Sequence, residues 1–125
     1  MSRPRVVVLA DDLIWQTRLT NILEGIGARV DRRSGALDEA LVDADALVVD
    51  LTARSYDAIA AIERGSAAGL RVLAVGQHDD AALRKRALAA GAERVYAYRK
   101  LFEDGPATLV AWLGAEALGI RKRYG

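Results

Sequence analysis

Three aspartates stand where apolar runs of the sequence end. Asp11 and Asp12 directly follow the run 6–10, and Asp50 stands near the end of the run 46–51. If these runs are neighbouring parallel strands, their carboxyl ends meet at one edge of a sheet, and the carboxylates repel each other unless a cation intervenes. Mg²⁺ suits such a group because it takes carboxylate oxygens, keeps several waters and bridges to a phosphoryl group. The pattern therefore predicts a Mg²⁺ site at these three aspartates, with helix capping as the alternative for Asp12.

The single histidine, His78, is another residue type that binds metals or acts as a general base. It precedes Asp79 and Asp80 in a segment that we predict to be a loop. The sequence has no second histidine and no cysteine to complete a typical ligand cluster. We therefore favour a solvent-facing loop histidine over a ligand at this position.

Short β-rich apolar runs alternate along the chain with longer segments of helical period. This alternation is typical of βαβ units and predicts a parallel sheet. The first and third runs lack polar alternation, as expected of central strands that helices cover on both faces. The predicted fold class is α/β, a flavodoxin-like doubly wound (βα)5 sheet with strand order 2-1-3-4-5. The predicted strands are 6–10, 28–33, 46–51, 71–76 and 94–98, and the predicted helices are 13–26, 37–42, 56–68, 81–90 and 107–118.

Length and composition limit the class of protein. A chain of 125 residues, 52% of them apolar, is expected to form one domain, which we assign to 1–118, followed by a short basic tail at 119–125. The net charge of +1 makes a nucleic-acid partner unexpected, and the first apolar run is too short for a signal segment or a membrane span. The absence of cysteine excludes disulfides and thiolate metal sites, so we expect a reducing, cytoplasmic location.

The segment from Val6 to Asp12 resembles the first strand and acidic pair of response-regulator receiver domains, and 47–51 resembles their phosphoacceptor strand. The resemblance extends over roughly residues 5–118. It implies that Asp11 and Asp12 hold Mg²⁺ and that Asp50 accepts a phosphoryl group. A metal-neutralised carboxylate is a chemically reasonable nucleophile toward phosphorus.

The sequence departs from the receiver pattern at the positions that normally respond to phosphorylation. Gly76 stands where the family has a threonine or serine, so the switch hydroxyl is missing. Tyr98 falls on the position of the family's lysine, and a one-residue shift would place Arg99 there and Tyr96 at the switch aromatic. Arg99 offers a cation to a phosphate, although its planar guanidinium is not equivalent to a lysine ammonium. The resemblance therefore implies an atypical receiver with a degenerate switch, a pseudo-receiver.

Aromatic residues in the last part of the chain have two possible roles. Receiver-like proteins commonly associate through the fourth helix, fifth strand and fifth helix, and aromatic side chains are enriched at interfaces. Tyr96, Phe102 and Trp112 are the candidates for such an interface. The amphipathic pattern of the last helix equally predicts core packing for some of them.

The function predicted from these observations is a non-enzymatic signal-transduction module. It would act through association with a sensor kinase, a downstream protein or a second copy, with phosphorylation of Asp50 as an option. One alternative is a small-molecule-binding domain that uses the crevice at the carboxyl ends of the strands. A less favoured alternative is a Mg²⁺-dependent phosphotransfer enzyme, since no acid-base partner is evident. No dinucleotide, P-loop, hydrolase or zinc-protease motif occurs in the sequence.

Overall fold

A computed structural model describes residues 3–35, 37, 39–115 and 117–119. They form one parallel sheet with the strand order β2-β1-β3-β4-β5 and with helices between strands. This arrangement confirms the predicted fold class. The strands are β1 Arg5–Leu9, β2 Arg29–Arg33, β3 Ala46–Asp50, β4 Arg71–Gly76 and β5 Arg94–Ala97.

The central strands are buried because helices cover both faces of the sheet. Every residue of β3 is buried, as are all but the first residue of β1 and of β4. The edge strand β2 is polar instead, and its Asp31 forms ion pairs with Arg5 at 2.7 Å and Arg33 at 3.0 Å. The apolar runs of the sequence thus correspond to the strands that position the carboxylates.

The helices form two layers. They are α1 Leu13–Gly25, α2 Ala58–Ala67, α3 Ala81–Ala90 and α4 Tyr98–Leu113. On one face of the sheet, α1 and α4 enclose a core that contains Leu19, Leu101 and Trp112. On the other face, α2 and α3 enclose a second core around Ile62 and Ala87.

The segment predicted as a short helix at 37–42 forms turns in the described residues. The Leu41 N–H donates to the Leu37 carbonyl at 3.1 Å and the Val42 N–H to the Glu39 carbonyl at 3.3 Å. Asp43 then has a φ of 63°, in the left-handed region, so a right-handed helix cannot continue through it. So short a helix gains too few hydrogen bonds to offset its nucleation, so local turns replace it.

The last helix begins earlier than predicted. We expected a strand to Tyr98 and a helix over 107–118, whereas α4 starts at Tyr98 directly after β5 and ends at Leu113. Asp104 interrupts it with non-helical φ and ψ of −148° and 42°, and Pro106 lies in the first turn of the second segment. Pro106 therefore predicted the second segment of this helix, while the first segment, from Tyr98 to the break at Asp104, was not predicted.

Some expectations concern residues near the chain ends. The basic tail predicted at 119–125 lies, apart from residue 119, outside the described residues, and the domain assignment 1–118 stays a prediction.

Within the described part of the chain, no helix combines the length and apolar character needed to cross a membrane.

Candidate functional site

The carboxylate of Asp50 is held by hydroxyl and amide donors. Asp50 ends β3 and is 0% exposed. Its Oδ1 accepts hydrogen bonds from the Thr52 N–H at 3.0 Å, the Thr52 hydroxyl at 2.9 Å and the Tyr98 hydroxyl. Its Oδ2 is buried without a hydrogen-bond partner in the described structure. One oxygen of this carboxylate is thus fully engaged, and the other is enclosed.

Tyr98 joins this carboxylate to two helices. It is the first residue of α4, and its ring stacks on Trp15 of α1 with centroids 4.5 Å apart. Its hydroxyl also lies 2.6 Å from the Thr52 hydroxyl. Burial, followed by the hydrogen bond to Asp50, raises the pKa of Tyr98. The phenol therefore keeps its proton and remains a donor.

Asp12 and Asp11 are engaged separately from Asp50. Asp12 is the N-cap of α1, and its Oδ1 accepts from the Ile14 N–H at 2.8 Å and the Trp15 N–H at 3.3 Å. This is the capping role considered from the sequence. Asp11 Oδ2 accepts from the Ser55 N–H at 3.0 Å and the Arg54 N–H at 2.8 Å, and these hydrogen bonds lower the pKa of Asp11.

This arrangement does not fit a divalent cation. Mg²⁺ demands near-octahedral oxygen ligation. Among the described residues, no three His, Cys, Asp or Glu side chains form a group that could hold a metal ion. Asp11, Asp12 and Asp50 each direct one carboxylate oxygen to protein donors instead. The Mg²⁺ set remains a prediction from the sequence, and no chemical step is derived through it.

The other positions singled out by the receiver resemblance contain no replacement for the missing groups. A Cβ on Gly76 would lie 3.2 Å from Leu51 Cδ1, so Leu51 fills the adjacent space. Arg99 has an 82% exposed side chain and pairs with Glu103 at 2.8 Å. Its guanidinium pairs with a residue of its own helix, and the phosphate contact by Arg99 stays a prediction.

Sequence reasoning missed two hydroxyl residues that follow Asp50. Thr52 is one, and Tyr56 is the other. The Tyr56 hydroxyl lies 2.9 Å from the Leu9 carbonyl and 2.6 Å from the Asp50 carbonyl, so it bridges the ends of β1 and β3. Burial, then the charge of Asp50, raises its pKa, and it stays a donor. Their positions two and six residues after Asp50 were the available signal.

A small cavity lies beside the carboxyl ends of β4 and β5. It is lined by Leu51, Gln77, His78 and neighbouring residues and has a volume of about 10 Å³. That is roughly the space of one water molecule. His78 itself is exposed, in agreement with the loop role that we favoured. This cavity is therefore too small for a small-molecule ligand, and the small-molecule alternative stays a prediction.

The three interface candidates have different surroundings. Trp112 is 2% exposed and packs in the core, which is the core alternative considered from the sequence. Tyr96 is partly buried against the same core. Phe102 is 67% exposed, as expected of an interface residue.

Phe102 belongs to an exposed surface that α1 and α4 form together. Ile14 on α1 is 65% exposed, and the Arg18 guanidinium lies 5.6 Å from the Trp15 ring centre and 5.0 Å from that of Phe102. A groove of about 290 Å³ runs between the helices here. We call Ile14, Trp15, Arg18 and Phe102 the α1–α4 patch.

Known proteins resemble this chain in structure. No protein-family model and no curated protein sequence matches it. A receiver protein from Burkholderia phymatum is 24% identical, with a TM-score of 0.72 over 97% of this chain and 99% of that one. A response regulator from Burkholderia pseudomallei, solved with a phosphorylated aspartic acid, calcium and citrate, is 20% identical, with a TM-score of 0.72 over 94% and 70%. The BeF3-activated DrrB receiver domain is 16% identical, with a TM-score of 0.75 over 89% and 97%.

Proposed function

We propose that this chain, which has the fold of response-regulator receiver domains, is a signal-transduction module that acts through protein association with its acceptor position closed. The observation that carries the proposal is the state of Asp50, which is 0% exposed and bonded to Tyr98 and Thr52. The fold alone does not determine function, so the proposal rests on this site and on the exposed surface beside it.

A closed acceptor argues against phosphorylation as the routine input. A phosphoryl donor must bring its phosphorus within bonding reach of a carboxylate oxygen. Asp50 Oδ2 is buried, and Oδ1 is covered by two hydroxyls. With Gly76 and Tyr98 in place of the family's hydroxyl and lysine, an attached phosphoryl group would also lack its usual contacts. We therefore propose a pseudo-receiver with no catalytic activity of its own.

The α1–α4 patch supports association with a protein. Ile14 on α1 and Phe102 on α4 are large apolar side chains that are exposed, and apolar side chains together with an arginine resemble the composition of interface centres. In the described residues Arg18 makes no ion pair, and its guanidinium lies over the Trp15 and Phe102 rings. The partner is a sensor kinase, a downstream protein or a second copy in the cytoplasm. Neither a membrane nor a nucleic acid is part of the proposal.

Site-specific cross-linking in cells tests this function. A photo-reactive amino acid replaces Phe102 on the patch or, as the matched control, Val42, which is 63% exposed in the turns before β3. We expect a covalent protein adduct from position 102 and none from position 42, because only the former lies on the proposed interface. The adduct should persist when Asp50→Asn is added. Equal labelling at both positions, or an adduct that requires a phosphorylatable Asp50, would contradict the proposal.

A further inference from the structure

The mismatch between the aspartates and a divalent cation points to what holds the site together instead. We infer that the hydroxyl groups of Tyr98 and Thr52 take the place of a cation at Asp50 and latch the start of α4 to the end of β3. The latch concerns the same site as the proposed function. It does not depend on which protein the chain binds.

The donors around Oδ1 of Asp50 can all form their hydrogen bonds at the same time, as a latch requires. The Thr52 N–H and the Tyr98 hydroxyl both donate to Oδ1. The Thr52 proton goes either to Oδ1 or to the Tyr98 oxygen, which lies 2.6 Å away. Either arrangement leaves the carboxylate with at least two donors and both hydroxyls satisfied. Such hydrogen bonds to a charged acceptor are about twice as strong as neutral ones.

The Tyr98 proton is needed for this role and is retained. Burial and the neighbouring carboxylate both raise the pKa of the phenol. The stack of its ring on Trp15 fixes the direction of the hydroxyl. The donor is therefore positioned by packing that is independent of the hydrogen bond itself.

The latch also has a mechanical consequence. Tyr98 and Phe102 lie one turn apart in the first segment of α4, which the break at Asp104 separates from the rest of the helix. The closed carboxylate and Phe102 of the α1–α4 patch are therefore held by the same short helical segment.

The test is a double-mutant cycle by thermal unfolding. Tyr98→Phe removes the donor and keeps the ring, and Tyr96→Phe is the matched control because the Tyr96 hydroxyl makes no hydrogen bond in the described structure. We expect Tyr98→Phe to lower the midpoint by about 5–10 °C and Tyr96→Phe by less than about 2 °C. In an Asp50→Asn background the effect of Tyr98→Phe should fall to roughly half or less. Wild-type midpoints should agree between EDTA and millimolar Mg²⁺.

Three results would overturn the latch. The first is an equal effect of Tyr98→Phe and Tyr96→Phe. The second is strict additivity of Tyr98→Phe with Asp50→Asn. The third is saturable stabilisation of the wild type by Mg²⁺. Thr52→Val supplies a second variant if Tyr98→Phe fails to fold. Cross-linking at Phe102 reads out association alone, so failure of the latch and failure of the proposed function are distinguishable.

Discussion

At the scale of single residues, the surroundings of a carboxylate decide its chemistry. Asp50 stands where the receiver resemblance implies a phosphoacceptor, yet its Oδ1 accepts from a phenol, an alcohol and an amide. Hydrogen bonds from donors offset the cost of burying a carboxylate, and at Asp50 they all reach Oδ1, while Oδ2 is buried without a partner in the described structure. The residue type matches the receiver pattern, while hydroxyl groups cover one of its carboxylate oxygens.

Gly76 provides a prediction at the residue scale. A side chain there would contact Leu51, whose Cδ1 and Cβ lie 3.2 and 3.3 Å from a Cβ on Gly76. We expect Gly76→Ser, which restores the family's hydroxyl, to lower the free energy of unfolding by about 1–3 kcal/mol through overpacking. Urea denaturation measures the loss.

The matched control removes the obstructing side chain. In a Leu51→Ala background the same Gly76→Ser change should have little effect, because the space beside it is then open. An equal loss in both backgrounds would show that packing against Leu51 is not the cause. The missing hydroxyl would then reflect some other constraint.

The sequence predicted which residues reach the site better than it predicted what they do there. The strand runs placed Asp11, Asp12 and Asp50 at one edge, because a continuous apolar run is typical of a strand that is buried on both faces. The capping of α1 by Asp12 was one of two alternatives. The hydroxyl donors were missed because a side chain's partner depends on the loop path, which no local pattern determines.

At the scale of elements, α4 shows both what patterns predict and what they miss. Its second segment was expected from Pro106 and an amphipathic repeat. Its first segment was missed because Tyr98 continues the apolar run of β5, so strand and helix are continuous in the sequence. The segment 37–42 shows the opposite failure, where weak helical periodicity gave way to turns.

Arg71 provides a prediction at the element scale because it closes the end of α4. Its guanidinium donates to the carbonyls of Leu113 and Trp112 and pairs with Glu93 at 3.0 Å. Arg71→Ala should lower the free energy of unfolding by about 1–3 kcal/mol, since helix-end carbonyls lose charged donors. Glu93→Ala removes only the exposed ion pair and should change it by less than about 1 kcal/mol. Chemical denaturation of both variants compares them, and equal losses would contradict the capping role.

At the scale of the whole molecule, the fold could be predicted from the sequence, and the exposed surface only in part. The parallel sheet and its buried strands follow from the alternation of apolar runs and helical segments, and the flavodoxin-like strand order is one of the common orders for such a sheet, so the fold class was predictable from the sequence. The α1–α4 patch was predictable only in part, because Phe102 and Trp112 look equivalent in sequence and differ in burial. Burial of that kind is set by how helices pack, which emerges only in the assembled structure.

An amide NMR titration of the full chain with Mg²⁺ and then beryllofluoride tests whether Asp50, held by hydroxyl groups, is closed to phosphorylation. We expect no saturable shifts at Asp11, Asp12, Asp50 and Tyr98. Saturable shifts centred on these residues, growing when beryllofluoride is added, would show an open acceptor that binds metal and phosphate analogue, and would rule out the closed site.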